Sequence, residues 1–266
     1  MPLLTFLGTG HGMPKQSSCS SIFIEDSEAG SETNLLLDTG GGHDIICQFA
    51  KAGKDPCSVQ NIFVSHYDSD HILGIVPLMR AFSRGSPKER RIFCSSEVKR
   101  AVDSLFLYVA KRRYDDAKQH LQFVIIKDRM DYDLQRWKLT FFDVKSTGTP
   151  QFGCKILFPT KKKLSFLGDE PLKDHYLPIV KESDIFIHNA FCLEKDKEAF
   201  KPREKGHSTA QEAAQNAAKA HAKHLVLFHM EDDTLKTRKK EYTAEVKKHF
   251  SGEATVPIDG DTLVIS

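Results

Sequence analysis

Hydrophobic and polar positions in the first forty residues form short runs that predict β-strands. Apolar or alternating runs cover residues 3–7, 21–24 and 34–37, and clusters of Gly, Ser, Asp or Asn close each of them. After His43 the apolar spacing becomes that of a helix, and short apolar runs then alternate with helical stretches. The pattern predicts an N-terminal meander followed by alternating strands and helices.

The later elements continue this alternation. Strands are predicted at 61–65, 91–94, 122–126, 138–144, 184–188, 225–229 and 262–265. Helices are predicted at about 71–84, 96–118, 209–222 and 239–250. A hairpin is predicted from the runs 153–158 and 164–167. Two strand-then-helix halves without a Pro- or Ser-rich linker predict an α/β (α+β) fold, in which two sheets pack face to face within a single domain over residues 1–266.

Composition narrows the class of protein. The chain has 266 residues, of which 40% are hydrophobic and 28% charged, and this balance excludes a disordered protein. A net charge of +2 creates no general attraction for nucleic acid or anionic membranes. No apolar run is long enough to span a bilayer, and the start lacks a signal-peptide pattern, so we expect a cytoplasmic protein. The six cysteines include no CxxC pair, so a metal site would use His and carboxylate ligands.

The segment 65–74 carries four metal-capable side chains directly after a predicted strand. His66, Asp68 and Asp70 alternate, so in an extended chain their side chains point to the same side. His71 opens the next helix and can reach the same centre. These four side chains could therefore share one metal ion. The alternative to a metal site is a polar strand-to-helix turn in which Asp70 caps the helix.

Three other predicted strands also stop at ligand-type residues, Asp38, Asp169 and His229. Any one of these residues alone would be typical of an ordinary turn at the end of a strand. Together with the 65–74 segment, they predict a common metal site at the strand ends.

These motifs resemble the metallo-β-lactamase fold superfamily, specifically its ribonuclease Z-like branch. The resemblance runs nearly end to end, and the GHSTAxEAA string is its most branch-specific part. It rests on residues 6–10, 38–40, 66–74, 168–169, 184–190, 206–214 and 225–229.

The resemblance implies a four-layer αββα sandwich with a metal site at its open edge. Two metals, usually zinc, would share Asp169 as a bridging carboxylate, and a bridging hydroxide would attack the substrate. One metal would be held by Asp70, His71, Asp169 and His229. The other would be held by His66, Asp68, Asp169 and a later histidine.

Further roles also follow from the resemblance. Asp70 and His207 would be catalytic, His207 as a proton donor or charge stabiliser near the scissile phosphate. In the sequence, Ser208 to Gln211 forms a capping box that opens a helix directly after His207. Asp38 would support the ligands by hydrogen bonding. His11 would contact the substrate.

Three positions depart from the family pattern. Asp68 stands in place of a histidine, Thr147 in place of the later histidine ligand, and Asn189 in place of a glutamate. Thr147 and His188 are therefore assigned supporting rather than ligand positions. More oxygen and fewer nitrogen ligands shift the first metal toward manganese or iron, or leave only one metal bound. The expected cofactors are one or two divalent ions, zinc or manganese and iron.

The leading functional hypothesis is a metal-dependent hydrolase that cleaves a small or cyclic nucleotide-like phosphodiester. The alternatives are ribonuclease Z-like RNA processing, iron-centred redox chemistry as in the diiron branch, and non-catalytic ligand binding. Only fifteen residues separate Gly153 from Asp169, which leaves no room there for the tRNA-binding arm of ribonuclease Z. The expected partner is a small phosphorylated molecule. Nucleic acid is less favoured, and the resemblance also allows a homodimer.

Overall fold

The computed structural model describes residues 1–26, 33–84 and 88–265. The chain divides into two compact units. The first consists of Met1–Met13, Ser17–Ile126 and Ile258–Ser266, and the second of Pro14–Gln16 and Lys127–Pro257. Within the described ranges, no helix is long and apolar enough to cross a membrane.

The strands of the described residues are, in chain order, β1 (Pro2–Gly8), β2 (Ser21–Asp26), β3 (Asn34–Leu37), β4 (Asn61–Phe63), β5 (Arg90–Cys94), β6 (Leu121–Ile125), β7 (Met130–Leu134), β8 (Trp137–Asp143), β9 (Phe152–Leu157), β10 (Lys163–Phe166), β11 (Ile185–Asn189), β12 (His224–Phe228), β13 (Glu253–Thr255) and β14 (Thr262–Val264). The α-helices are α1 (Asp44–Lys51), α2 (Ser69–Ile72), α3 (Ile75–Phe82), α4 (Ser96–Tyr108), α5 (Lys111–Ala117), α6 (Leu177–Val180), α7 (Lys197–Phe200), α8 (Ala210–Lys219) and α9 (Arg238–Val246). Short 3₁₀ turns lie at Pro56–Ser58, Lys118–His120, Glu194–Asp196 and Pro202–Lys205.

The first unit contains a mixed sheet with the strand order β14-β1-β2-β3-β4-β5-β6. From β14 to β3 neighbouring strands are antiparallel, whereas β3 to β6 are parallel and therefore need crossover connections. Helices α1, α3 and α4 lie in these connections and bury apolar residues such as Phe49, Leu78 and Val102 in the unit's core. The sequence-predicted meander followed by alternation is confirmed here.

The second unit repeats this plan with the order β7-β8-β9-β10-β11-β12-β13. Its first four strands are antiparallel neighbours and its last four are parallel. Small side chains of α8, Ala210, Ala213, Ala214 and Ala217, are fully buried in this unit's core. They allow the helix to pack closely on its sheet.

In both units the sequence-predicted site residues follow the carboxyl ends of parallel strands. Asp38 follows β3 and His66 follows β4 in the first unit. In the second unit, Asp169 follows β10 and His229 follows β12. Because parallel strands end at the same edge of a sheet, each unit gathers its polar side chains at one edge.

The predicted elements differ from the structure in several places, and the helix predicted over 71–84 forms α2 and α3 with a turn between them. The helix predicted over 96–118 is interrupted between α4 and α5, because Ala110 adopts a left-handed conformation with φ of 57°. The predictions also omitted β7 and β13. The prediction of one domain over residues 1–266 stays a prediction.

Candidate metal centre

In the first unit, the chain leaves β4 in extended conformation and turns into α2 within a few residues. His66 and His71 are fully buried and Asp70 nearly so, whereas half of the Asp68 side chain is exposed. The residue that precedes α2 is Asp68, and its side chain makes no capping hydrogen bond. Asp70 lies inside the helix, so the alternative in which Asp70 caps it is wrong.

The loop after β3 packs directly against this segment. Thr39 donates hydrogen bonds from both its backbone nitrogen and its hydroxyl to the His71 carbonyl oxygen, each 2.8 Å long. Gly74 donates from its nitrogen to the Gly40 oxygen at 3.0 Å. A Cβ atom at Gly74 would lie 1.7 Å from the Thr39 oxygen, so only glycine fits there. This close approach fixes the metal motif against the loop that carries Asp38.

Asp38 organises both buried imidazoles of the first unit. Its carboxylate accepts hydrogen bonds from the Ser65 nitrogen at 2.7 Å, the Ser65 hydroxyl at 2.8 Å and His71 Nδ1 at 2.8 Å. Because Ser65 Oγ donates its hydrogen to Asp38, it accepts from His66 Nδ1 at 2.9 Å. Both histidines therefore carry a proton on Nδ1 and present the lone pair of Nε2. Burial raises the pKa of Asp38, and the contacts with His71 and Ser65 oppose that rise.

Each of these lone pairs faces a carboxylate oxygen. His71 Nε2 lies 3.3 Å from Asp70 Oδ2, and His66 Nε2 lies 3.6 Å from Asp68 Oδ2. The two imidazole ring centres are 4.0 Å apart. A nitrogen lone pair and an anionic oxygen repel each other at this distance unless a proton or a metal ion lies between them. The donor set of the first unit therefore fits a divalent metal.

In the second unit, Asp169 and His229 form a corresponding pair. Both are buried, and His229 Nδ1 lies 3.3 Å from Asp169 Oδ1. His229 adopts a left-handed conformation with φ of 58°, which turns the chain sharply at the end of β12. An imidazole nitrogen and a carboxylate oxygen again lie side by side, which is the donor chemistry of a metal ligand pair.

Asn189 connects the loops of the second unit. Its amide nitrogen donates to the Asp169 carbonyl oxygen, and its amide oxygen accepts from the Ser208 nitrogen at 2.8 Å. Asn189 thereby ties the loop of Asp169 to the loop that carries His207. The sequence showed Asn189 only as a departure from the family pattern, and its supporting role was missed.

His207 is partly exposed and held by ring contacts. Its imidazole stacks on Phe191 with ring centres 4.9 Å apart and an interplanar angle of 7°, and it lies 4.9 Å from the His229 ring. Its Nδ1 lies 3.4 Å from the Asp169 carbonyl oxygen. The ammonium group of Lys205 lies 4.9 Å from the Phe191 ring centre on this cluster. His207 is thus beside, but not part of, the Asp169–His229 pair. No sequence motif marked Phe191 as a neighbour of His207.

The capping box after His207 lies one residue later than predicted. Thr209 is the N-cap of α8, and its side chain accepts from the Glu212 nitrogen while Glu212 accepts from the Thr209 nitrogen. The predicted Ser208–Gln211 pairing is wrong because the Ser208 nitrogen is bound to Asn189.

His188 does not support the predicted ligands, which corrects the role assigned to it. Its Nδ1 contacts the Asn189 carbonyl oxygen at 2.7 Å, and its Nε2 contacts Asn216 of α8 at 3.0 Å. Burial lowers the pKa of His188 to about 4, so the ring is neutral at physiological pH. Because adjacent strand residues point to opposite faces, Asn189 rather than His188 faces the site loops.

Thr147 and His11 both lie in loops. Thr147 is exposed in the loop between β8 and β9, and its supporting role stays a prediction. His11 is partly exposed, and its Nδ1 accepts from the Met13 nitrogen at 3.3 Å. A Cβ atom at neighbouring Gly12 would lie 3.2 Å from Asp70 Oδ2, so the His11 loop passes directly over that carboxylate.

We expect the change Asp38→Asn to weaken metal binding by roughly tenfold to a hundredfold, because an amide cannot accept all three hydrogen bonds that fix the imidazoles. Asparagine tolerates the left-handed conformation of Asp38, where φ is 55°, so the backbone should be retained. Competition with a fluorescent chelator would measure the affinity.

The matched control is Asp26→Asn, which removes another buried carboxylate of the first unit, one that pairs with the N-terminal ammonium group. Its metal affinity should equal that of the unmodified protein. Equal affinity in Asp38→Asn as well would contradict the organising role of Asp38.

A model of the β-lactamase superfamily domain matches residues 33–230, about three quarters of the chain. The chain belongs to this superfamily. Ribonuclease Z from Pyrobaculum calidifontis is 28% identical over 298 aligned positions, which cover 100% of this chain and 99% of that protein. Ribonuclease Z from Staphylococcus carnosus is 28% identical over 197 positions, covering 70% and 60% of the two chains. The sequence-based resemblance to the ribonuclease Z-like branch is confirmed.

Solved structures confirm the fold class. The short form of human tRNase Z aligns with a TM-score of 0.76 at 21% identity over 99% of both chains. The metallo-β-lactamase fold protein YhfI from Bacillus subtilis aligns with the same TM-score at 19% identity, over 99% of this chain and 100% of that one. The two mixed sheets of this chain, with their flanking helices, match the metallo-β-lactamase sandwich fold that was predicted. The chain is a hydrolase of this fold.

Proposed function

We propose that the two ligand pairs form one metal centre of a metal-dependent phosphodiesterase. Its principal ligands would be four buried residues, Asp70, His71, Asp169 and His229, each of which offers one ligand atom. Two imidazoles and two carboxylates are a mixed nitrogen and oxygen set that suits zinc. The observation that carries the proposal is the pairing of an imidazole nitrogen with a carboxylate oxygen at 3.3 Å in each unit.

A second, weaker position would use His66 and Asp68 together with a shared Asp169. The half-exposed Asp68 carboxylate lies 3.6 Å from His66 Nε2 and supplies a hard oxygen ligand. With one imidazole and two carboxylates, this position would prefer manganese or iron over zinc. In both positions a bound ion would supply Lewis acidity and lower the pKa of a water molecule.

The residues of this chain would position and protonate the substrate. His207 lies at the rim of the Asp169–His229 pair, and the stacked Phe191 ring restricts its orientation. A histidine at this place can hold a phosphoryl oxygen or donate a proton to the leaving group. Asp70 would act both as a ligand and in orienting the attacking water.

Three considerations support a small phosphodiester as the substrate. Relatives in sequence and fold are named ribonuclease Z, a diphosphatase of the PhnP family and yeast PDE1. Strands β9 and β10 are joined by five residues, 158–162, where the ribonuclease Z resemblance would place a long tRNA-binding arm. The balanced net charge of +2 provides no general attraction for a large polyanion. We therefore favour a small nucleotide-like substrate over folded RNA.

The proposed function is tested by metal content and turnover together. Protein purified without chelators should contain clearly fewer than two zinc ions, and its hydrolysis of bis(p-nitrophenyl) phosphate should rise when Mn²⁺ is added, because the His66–Asp68 position has only one imidazole. The change Asp68→His should raise zinc occupancy and reduce the response to manganese. Lys162→His, on the exposed hairpin turn, is the control for an added histidine.

Other results point to other functions. Turnover of thioesters or lactones without turnover of phosphodiesters would exclude a phosphodiesterase. Bound iron that cycles between oxidation states, without hydrolysis, would favour redox chemistry. Cleavage of precursor tRNA at a much higher rate than small diesters would favour RNA processing. Two tightly bound zinc ions with no response to manganese would contradict the weaker second position.

A further inference from the structure

The first unit contains a small polar cavity between the end of α3, the start of β5 and the end of α5. Its volume is about 240 Å³, and its lining includes Phe82, Ser83, Arg90, Asp116 and His120. None of the described residues that line it is a proposed metal ligand. The volume is room for roughly eight water molecules at their liquid volume of about 30 Å³ each. Pockets for drug-sized ligands occupy about 300–1,000 Å³, so this cavity suits a smaller molecule.

Arg90 places a buried positive charge at this cavity. Only 2% of the residue is exposed, and its guanidinium carbon lies 4.0 Å from the ring centre of Phe82. The guanidinium donates to three carbonyl oxygens, from Nε to Val59 at 3.0 Å, from Nη1 to Lys88 at 3.0 Å and from Nη2 to Cys57 at 3.1 Å. A guanidinium has five N–H groups. Two of them therefore have no acceptor among the described residues.

No carboxylate within the described ranges forms an ion pair with Arg90. Asp55 acts on its charge only from a longer distance, and the Asp55 carboxylate accepts a hydrogen bond from the Cys57 nitrogen at 2.8 Å. Burial lowers the pKa of Arg90, but a guanidinium stays charged at physiological pH. A buried charge without a counter-ion is unfavourable. An anion that enters the cavity would therefore be stabilised by Arg90.

The remaining polar groups of the lining are compatible with a bound anion. His120 is half-buried, and its imidazole forms no hydrogen bond or ion pair with another residue that the structure describes, so a ring nitrogen is available as a donor. Asp116 is exposed, and its carboxylate lies 3.7 Å from Arg113 Nη1. This ion pair offsets the negative charge of Asp116. The uncompensated charge at the cavity is therefore that of Arg90.

We propose that this cavity is a binding site for a compact oxyanion, a free phosphate or a small carboxylate. The two remaining N–H groups of Arg90 would hold its oxygens, because guanidinium groups form charge-assisted hydrogen bonds to phosphate and carboxylate. His120 would supply a further donor. The cavity is smaller than the pockets that hold nucleotide-sized molecules, so its ligand differs from the substrate of the proposed metal centre. The inference does not depend on the proposed phosphodiesterase function.

NMR spectroscopy of two side chains tests this inference on the unmodified protein. Inorganic phosphate and acetate are titrated separately at constant pH, with chloride at matched ionic strength as the reference. The Nε–H signal of Arg90 and the ring signals of His120 report the cavity even where phosphate also binds a metal ion. At least one anion should shift these signals saturably, with a Kd on the order of 1 mM or below, as expected for two charge-assisted hydrogen bonds. The anion with the lower Kd identifies the ligand class.

Two variants locate the site. Arg90→Lys keeps the charge but has only three N–H groups, which the three carbonyl oxygens can occupy, so the shift of the His120 signals should require roughly tenfold more anion. Ser83→Leu leaves Arg90 in place and fills part of the cavity, so both shifts should be lost. The matched control is Arg91→Lys at the next position of β5, where the side chain points to the opposite face of the sheet. This control should keep the affinity of the unmodified protein.

Each outcome decides for or against the site. Saturable shifts that Ser83→Leu abolishes and Arg91→Lys retains would establish it. The absence of a shift with both anions, an equal shift with chloride, or a shift that persists in Ser83→Leu would overturn it. If Arg90→Lys does not fold, the titrations of the unmodified protein and of Ser83→Leu still give the answer. Loss of diester hydrolysis would bear on the proposed function alone.

Discussion

Replacing His229 by alanine should remove the tightly bound metal and lower phosphodiester hydrolysis by about a thousandfold or more, because a metal ion supplies several kcal/mol of charge stabilisation in such reactions. His229 is buried and lies 3.3 Å from the Asp169 carboxylate, so this change removes one of the two imidazoles of the proposed ligand set. Metal analysis by mass spectrometry and turnover at saturating substrate would measure both effects.

The backbone conformation of His229 calls for a second variant. With φ of 58°, alanine is strained at this position, whereas asparagine is tolerated. His229→Asn should therefore lose the metal while keeping the fold. The matched control is His224→Ala at the opposite end of the same strand, where the imidazole contacts Thr255 Oγ1 at 2.7 Å and Glu253 at 3.3 Å. Full metal content and activity in His229→Asn would show that His229 is not a ligand.

Replacing His207 by alanine should lower kcat by on the order of a hundredfold while the metal content stays unchanged. The reason is geometric, since His207 contacts the Asp169 backbone oxygen rather than its carboxylate and remains partly exposed at the rim of the site. Metal content and steady-state kinetics on the same preparation separate the two effects.

His175→Ala serves as the control for this variant, because His175 is an exposed histidine of the same unit whose Nε2 contacts the Asp143 carbonyl oxygen. Its kcat should match that of the unmodified protein. Loss of metal in His207→Ala would make His207 a ligand and overturn its assignment as a proton donor or charge stabiliser.

The lengths of several elements followed directly from local sequence. Strand β3 has the predicted bounds 34–37, because a run of leucines between polar turn residues leaves little freedom for its ends. The break between α4 and α5 could not be predicted in this way. The apolar spacing continues through Val109 and Ala110, and only the left-handed conformation of Ala110 separates the helices.

Strands β7 and β13 were missed for a related reason. Strand β7 has the sequence MDYDL, in which aspartates occupy two exposed positions, and aspartate is unfavourable in strands. It becomes a strand because each of its five residues pairs with β8. Strand β13 has only three residues and, among the described residues, pairs with β12 alone. Pairing with a neighbour in the sheet, rather than intrinsic propensity, decided both elements.

The sequence by itself determined the fold class and the residue types of the site, because ligand-type residues directly follow apolar strands and parallel strands end at a common edge. Only the tertiary structure decided how those residues are used. The nitrogen that each buried imidazole presents depends on Asp38, which lies 33 positions from His71 and bonds to it. The supporting role of Asn189 and the exclusion of His188 likewise depend on partners at distant positions, Ser208 and Asn216. Hydrogen bonds between residues far apart in the chain form only once the strands are paired. Local sequence patterns therefore cannot predict them.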